Sequence, residues 1–142
     1  MTAATLERKL NVFLIDDDDL DVMNVQRAFR KNPAQNPLFI AHDGVEALRM
    51  LREGSVPTAR RIILLDLNMP RMGGIEFLRE LRADPKLRSS SVIVLTTSAE
   101  DRDRVEAYNL NVAGYIVKPV TLTAFTDIMS TLTRYWTLNE LP

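Results

Sequence analysis

The chain has 142 residues, no Cys, one His, and 18 Lys plus Arg against 19 Asp plus Glu for a net charge of −1. At 46% hydrophobic and 26% charged it has the apolar surface for one domain core, which excludes wholesale disorder. Disulfides, thiolate chemistry and multi-histidine metal centres are excluded, and there is no basic excess for non-specific nucleic-acid binding.

Val12–Ile15 reads as a first strand, followed by a helix over about 19–31 with Val22, Val25 and Phe29 on one face. Leu38–Ile40 is a second strand. The helix after it, about 44–53, places Val45, Leu48 and Leu51 together, and Asp43 with Glu46 forms a capping-box pattern. Ile62–Leu65 is a third strand, with a helix over about 74–82 that Asp84-Pro85 ends. Val92–Leu95 is a fourth, and Ser98 reads as the N-cap of a helix over about 99–109. Tyr115–Val117 is the fifth, and Leu122, Phe125, Ile128, Met129 and Leu132 stripe a last helix over about 122–135. The fourth helix offers little beyond Val105 and Tyr108 to a core. It is either a solvated helix held loosely to the sheet or a mobile partner-binding face.

The strand runs are apolar without alternation, as in strands buried on both faces. Five β–α alternations with long intervals predict parallel strands, right-handed crossovers and a doubly wound α/β sheet. One domain is expected over 10–134, with an N-terminal extension at 1–9 and a C-terminal tail at 135–142. Apolar runs of only about four residues are too short for a membrane span. MTAATLERKL has no apolar signal core, so a cytoplasmic protein is expected.

Polar residues collect at the C-terminal ends of four strands: Asp16 and Asp17, Asp66, Thr96 and Lys118. In an open parallel sheet these ends share one edge, where ligands bind at the switch in strand order. If the order is 2-1-3-4-5, strands 1 and 3 are neighbours about 4.8 Å apart. Asp16 and Asp17 then face Asp66, Thr96 flanks it, and the long stem of Lys118 reaches back. Two carboxylates ~4 Å apart repel by about 4 kcal/mol at an effective dielectric near 20. A cation, or a retained proton, makes such a cluster tolerable. Oxygen-only ligands point to a hard dication, and Mg²⁺ fits a site with few carboxylates. Metal, carboxylate nucleophile, Lys and hydroxyl are the parts for phosphoryl transfer onto an Asp. Asp18, Asp19 and Asp21 read instead as caps and a solvated face, and His42 as a partly exposed loop residue. Met69 and Met72 read as loop and packing residues.

Leu14-Ile15-Asp16-Asp17, Leu65-Asp66-Leu67-Asn68-Met69-Pro70, Leu95-Thr96-Thr97 and Tyr115-Ile116-Val117-Lys118-Pro119 together resemble the receiver domain of two-component response regulators. The resemblance covers 10–134 and implies a flavodoxin-like fold with strand order 2-1-3-4-5. It implies Asp66 as phosphoacceptor, accepting from a histidine kinase or a histidine phosphotransfer protein. It implies Mg²⁺ held by Asp17 and Asp66, by Asp16 largely through water, and by the Asn68 carbonyl. Lys118 pairs with the phosphoryl group, and Pro119 follows a cis bond. Thr96 hydrogen-bonds a phosphoryl oxygen and Tyr115 swings inward, which changes the face made by helix 4, strand 5 and helix 5. Such a domain catalyses its own phosphorylation and slow hydrolysis and is not a turnover enzyme.

Leu95-Thr96-Thr97-Ser98 and Tyr135–Pro142 are similar to stand-alone regulators paired with bacterial phytochrome histidine kinases. That subgroup often dimerises with help from the C-terminal segment. Trp136, Leu138 and Leu141 either form a partner surface or fold back over their own domain. With the chain ending after the last helix, output is expected through protein contact or onward phosphotransfer, with neither nucleic acid nor membrane as partner. In Arg71-Met72-Gly73-Gly74 a Gly stands where the family often has Asp or Asn. Asp18 adds an acid beside the metal pair, and Thr97 and Ser98 occupy positions that tune phosphoryl lifetime. Three rivals remain. An interaction module that is never phosphorylated would not need the acidic set. A flavin binder needs a hydroxyl- or Gly-rich loop where Asp16–Asp19 stand. A phosphohydrolase needs a general acid where Asn68 stands.

Overall fold

The computed structural model of the chain describes residues 9–32 and 35–141. The expected extension at 1–9 lies outside the described residues except for Lys9, as does Pro142 of the tail. The elements alternate as β1 (Asn11–Ile15), α1 (Asp19–Lys31), β2 (Leu38–Ala41), α2 (Gly44–Glu53), β3 (Arg61–Leu65), α3 (Gly74–Ala83), β4 (Ser91–Thr96), α4 (Asp101–Asn109), β5 (Gly114–Val117) and α5 (Leu122–Thr137). The five strands are parallel, in the order β2-β1-β3-β4-β5. This is the flavodoxin-like arrangement expected from the sequence. Among the described residues no helix is long and apolar enough to cross a membrane.

Both faces of the central strands are covered, so alternate residues feed two cores. Phe13, Ile15, Ile63, Leu65, Val92 and Val94 meet Leu48 and Leu51 of α2 and Phe77, Leu78 and Leu81 of α3. On the opposite face Val12, Leu14, Ile62, Leu64, Ile93 and Leu95 meet Val22 and Val25 of α1 and Phe125 and Met129 of α5. Each such side chain contributes about 2 kcal/mol by leaving water. The edge strands β2 and β5 are only partly buried. The helix α4 buries Ala107 alone, with Val105 and Tyr108 about half exposed. It is laced instead by ion pairs from Arg79 and Arg102 to Glu106, an exposed surface that fits a solvated helix and a partner-binding face alike.

Four expectations need correction. Val45 faces solvent, because the buried face of α2 runs through Gly44, Ala47, Leu48 and Leu51, about 100° round the helix. Leu122 is also exposed, at the first turn of α5 before the helix meets the sheet. Ser98 is not an N-cap: its hydroxyl donates to Asp103, and α4 begins only at Asp101. The Lys118–Pro119 bond is trans, not cis. The intrinsic bias between the two Xaa–Pro isomers is only about 1 kcal/mol, so the loop around it decides.

The C-terminal segment folds back in part. Trp136 and Leu141 pack against the α1/α5 core, while Leu138 is 77% exposed. Arg60, with a left-handed φ of 50°, donates to the carbonyls of Asn139 (2.9 Å), Thr137 (3.1 Å) and Trp136 (3.3 Å). A cation there satisfies carbonyls that the helix end leaves open. Arg60→Ala is expected to lower stability by about 2 kcal/mol, read as a lower urea midpoint by circular dichroism.

Candidate functional site

Sheet register builds the site. Ile15 of β1 pairs with Leu65 of β3, so the next residues, Asp16 and Asp66, emerge side by side at the C-terminal edge. Asp16 N–H donates to Ala41 O and Asp66 N–H to Ile15 O, both at 3.0 Å, which extends the ladder through the two acids. Each carboxylate is then fixed by a backbone N–H two residues on: Asp18 N to Asp16 Oδ1 at 2.9 Å, and Asn68 N to Asp66 Oδ1 at 3.3 Å. Asp16 and Asp66 are buried and Asp17 is exposed, and one carboxylate oxygen from each lies within 4.8 Å of the others.

Lys118 arrives from the end of β5, its own N–H donating to Thr96 O at 2.8 Å. Its side chain is 6% exposed, and Nζ stands 2.8 Å from Asp16 Oδ2, 2.5 Å from Asp21 Oδ2 and 3.6 Å from Asp66 Oδ2. Thr96, fully buried, ends β4 two residues past Val94, which pairs with Leu65. Its Oγ1 accepts from Ser98 N–H at 3.3 Å, and Ser98 O accepts from the Tyr115 hydroxyl at 2.9 Å. Thr96 and the half-buried Tyr115 are thus linked through Ser98.

The loop after Asp66 is held from both ends. Gly74 N–H donates to Leu67 O at 3.1 Å, and Gly44 N–H to Met72 O at 3.2 Å. Arg71 donates from Nε to Asp43 Oδ2 at 2.9 Å and again from Nη2. Burial opposes ionisation of Asp43, but the Glu46 N–H and Arg71 outweigh it and hold its carboxyl below the usual range. Gly73 caps α3 with no side-chain bond.

The model of the response regulator receiver domain matches residues 12–130. The chain belongs to that family. It is 31% identical to response regulator Rcp1 of Synechocystis sp. over 128 residues, 88% of this chain and 87% of Rcp1. The phosphorylated cyanobacterial phytochrome response regulator RcpA superposes with a TM-score of 0.85 at 33% identity, covering 94% of this chain and 99% of RcpA. The Mn²⁺-bound form of Rcp1 superposes with a TM-score of 0.81 at 31% identity, covering 92% of this chain and 97% of Rcp1.

In this receiver domain one ammonium faces three carboxyl groups, those of Asp16, Asp21 and Asp66. Burial pushes the Asp16 carboxyl up to about 6, with the hydrogen bond from Lys118 pulling the other way. Burial works against the Lys118 ammonium too, but its bonds to Asp16 and Asp21 raise it above the ordinary lysine range. A partly open cluster of oxygens alone, one of them disinclined to ionise, fits a hard divalent cation. Every acid expected at the edge is there, and Asp18 caps α1 through Leu20 and Asp21 N–H as expected. His42 is exposed beside Glu46, and Met69 and Met72 pack on the core. Asp21 is the residue that sequence reasoning missed. It reads as a solvated acid, yet it contacts Lys118. Its role depends on a residue 97 positions away, and no local sequence pattern signals it.

Proposed function

We propose that this response regulator accepts a phosphoryl group on Asp66, in a Mg²⁺-dependent reaction, from a histidine kinase or histidine phosphotransfer protein. The observation that carries this is the Lys118 ammonium 3.6 Å from a buried Asp66 carboxylate, with Asp16 and Asp17 alongside. One Asp66 oxygen forms the new bond to phosphorus as the bond to the donor breaks, and the leaving group takes that electron pair. Lys118 offers an N–H to the phosphoryl oxygens, which places positive charge where negative charge gathers. Held by the Asp16, Asp17 and Asp66 carboxylates and the Asn68 carbonyl, Mg²⁺ would supply Lewis-acid neutralisation of those oxygens. Thr96 turns its hydroxyl toward the phosphoryl group, and the pull passes through Ser98 to Tyr115. This shifts the population toward a packing with an altered α4–β5–α5 face.

The chain modifies and slowly restores itself without turnover on a separate substrate. Its receiver unit spans 10–134, acts in the cytoplasm, and signals by contact or onward transfer. Likeness to Rcp1 and to the phytochrome response regulator RcpA supports a phytochrome-type kinase as donor. The exposed Tyr135 and Leu138 support a homodimer using the C-terminal segment.

Incubation with acetyl phosphate and Mg²⁺ should add the mass of one phosphoryl group to the wild type and none to Asp66→Asn. An unchanged wild-type mass would leave the unphosphorylated interaction module instead.

A further inference from the structure

The geometry points to Asp21 as a positioning residue for Lys118, holding its ammonium off the Asp66 carboxylate while leaving one N–H for an incoming phosphoryl group. This rests on the reading of Asp66 as phosphoacceptor.

An ammonium has three N–H donors. Two are taken, by Asp16 Oδ2 at 2.8 Å and Asp21 Oδ2 at 2.5 Å. The 3.6 Å to Asp66 Oδ2 is longer than a hydrogen bond. Lys118 therefore stands beside the nucleophile without binding it. Asp21 can do this because the Asp18 cap fixes the first turn of α1, and with it the direction of the Asp21 side chain. The Asp21 side chain is 22% exposed and that of Lys118 is 6%, so bulk water competes little for the contact.

Remove Asp21 and the ammonium keeps one anchor, Asp16, with a donor to spare. The nearest other carboxylate is Asp66. Lys118 then moves onto the oxygen that must attack phosphorus and occupies its lone pair before the donor arrives. A role for Asp21 in helix stability alone, or through charge alone, would not depend on whether a hydrogen-bond acceptor remains at this position.

The test compares wild type, Asp21→Ala and Asp21→Asn under saturating Mg²⁺ and excess acetyl phosphate, by intact mass against time. Asp21→Ala is expected to be about tenfold slower, and Asp21→Asn, whose amide oxygen still accepts from Lys118, to recover to within about threefold of wild type. Asp21→Ser, too short to reach the ammonium, serves as the truncation should the Ala variant fold poorly. Nitrogen-15 spectra of the Lys118 Nζ should show the same ammonium resonance in wild type and Asp21→Asn and a shifted one in the truncations, where Asp66 replaces Asp21 as its partner. Truncations that react at the wild-type rate, or whose Lys118 ammonium keeps the wild-type resonance, would overturn the proposal. So would an Asp21→Asn protein as slow as Asp21→Ala. Wild type that takes up no phosphoryl group overturns the reading of Asp66 as well, whereas phosphorylated wild type with unaffected truncations overturns the role of Asp21 alone.

Discussion

Lys118→Ala is expected to lose about 3 kcal/mol of stability in metal-free buffer, because it strips the counter-charge from buried acids. The Lys118, Asp16 and Asp66 side chains are 6%, 2% and 6% exposed, so water does not replace the lost ammonium. The measurement is urea unfolding with and without Mg²⁺, and Mg²⁺ should stabilise the variant more than the wild type. Phosphorylation by acetyl phosphate should fall by about a hundredfold, the usual cost of removing one aimed donor from a charge-developing site. The pH profile supplies a sign. Asp16 holds its proton up to about 6 in the fold but only to about 4 in the unfolded chain. Its contribution to metal-free stability is therefore full below about pH 4 and lost as pH rises through about 6. Without the Lys118 hydrogen bond Asp16 holds its proton to higher pH still, so the decline in the variant extends further upward. Equal urea midpoints for variant and wild type in EDTA would show that the ammonium compensates nothing.

Gly74→Ala is expected to cost about 3 kcal/mol and to slow phosphoryl uptake with it. An added Cβ would sit 2.6 Å from the Asp66 carbonyl oxygen, 2.6 Å from Leu67 Cα and 2.7 Å from Leu67 Cδ2. Two of these atoms are backbone, so no rotamer change relieves the clash, and the strand end that carries Asp66 must move. Gly73→Ala is the control. Its nearest contact would be an ordinary 3.5 Å to Leu67 O, at a φ of −73° open to any residue, so its expected cost is only about 1 kcal/mol, from the poorer N-cap. Urea midpoints and acetyl phosphate time courses on both variants check the contrast. A Gly74→Ala protein as stable as Gly73→Ala would contradict the close approach of α3 to the Asp66 backbone.

The parts legible in the sequence were those in which a local pattern changes character. An apolar run that stops at Asp16, Asp66, Thr96 or Lys118 marks a strand end, and parallel topology brings strand ends to one edge. Asp21 was not legible in this way. Its meaning depends on Lys118, 97 residues away, and nothing in Asp18–Asp21 alone separates a cap from a contact. Ser98 misled for a related reason: it resembles a helix start, but Asp103 and Tyr115 claim its hydroxyl and carbonyl. Val45 misled because an apolar residue one position off the stripe looks like part of it. The link from Asp43 to Arg71 was likewise hidden, since the capping pattern explains Asp43 completely within its own helix.

The Arg60 clamp stands at the start of β3 and Asp66 at its end, so about 20 Å of extended chain separates the two. Trp136, the only tryptophan of the chain, packs at the Arg60 end. Its emission is insulated from ions and phosphate at the acidic edge. Any spectral change that accompanies loading of Asp66 is then a signature of rearrangement carried through the body of the domain, and the molecule contains its own optical gauge of long-range transmission.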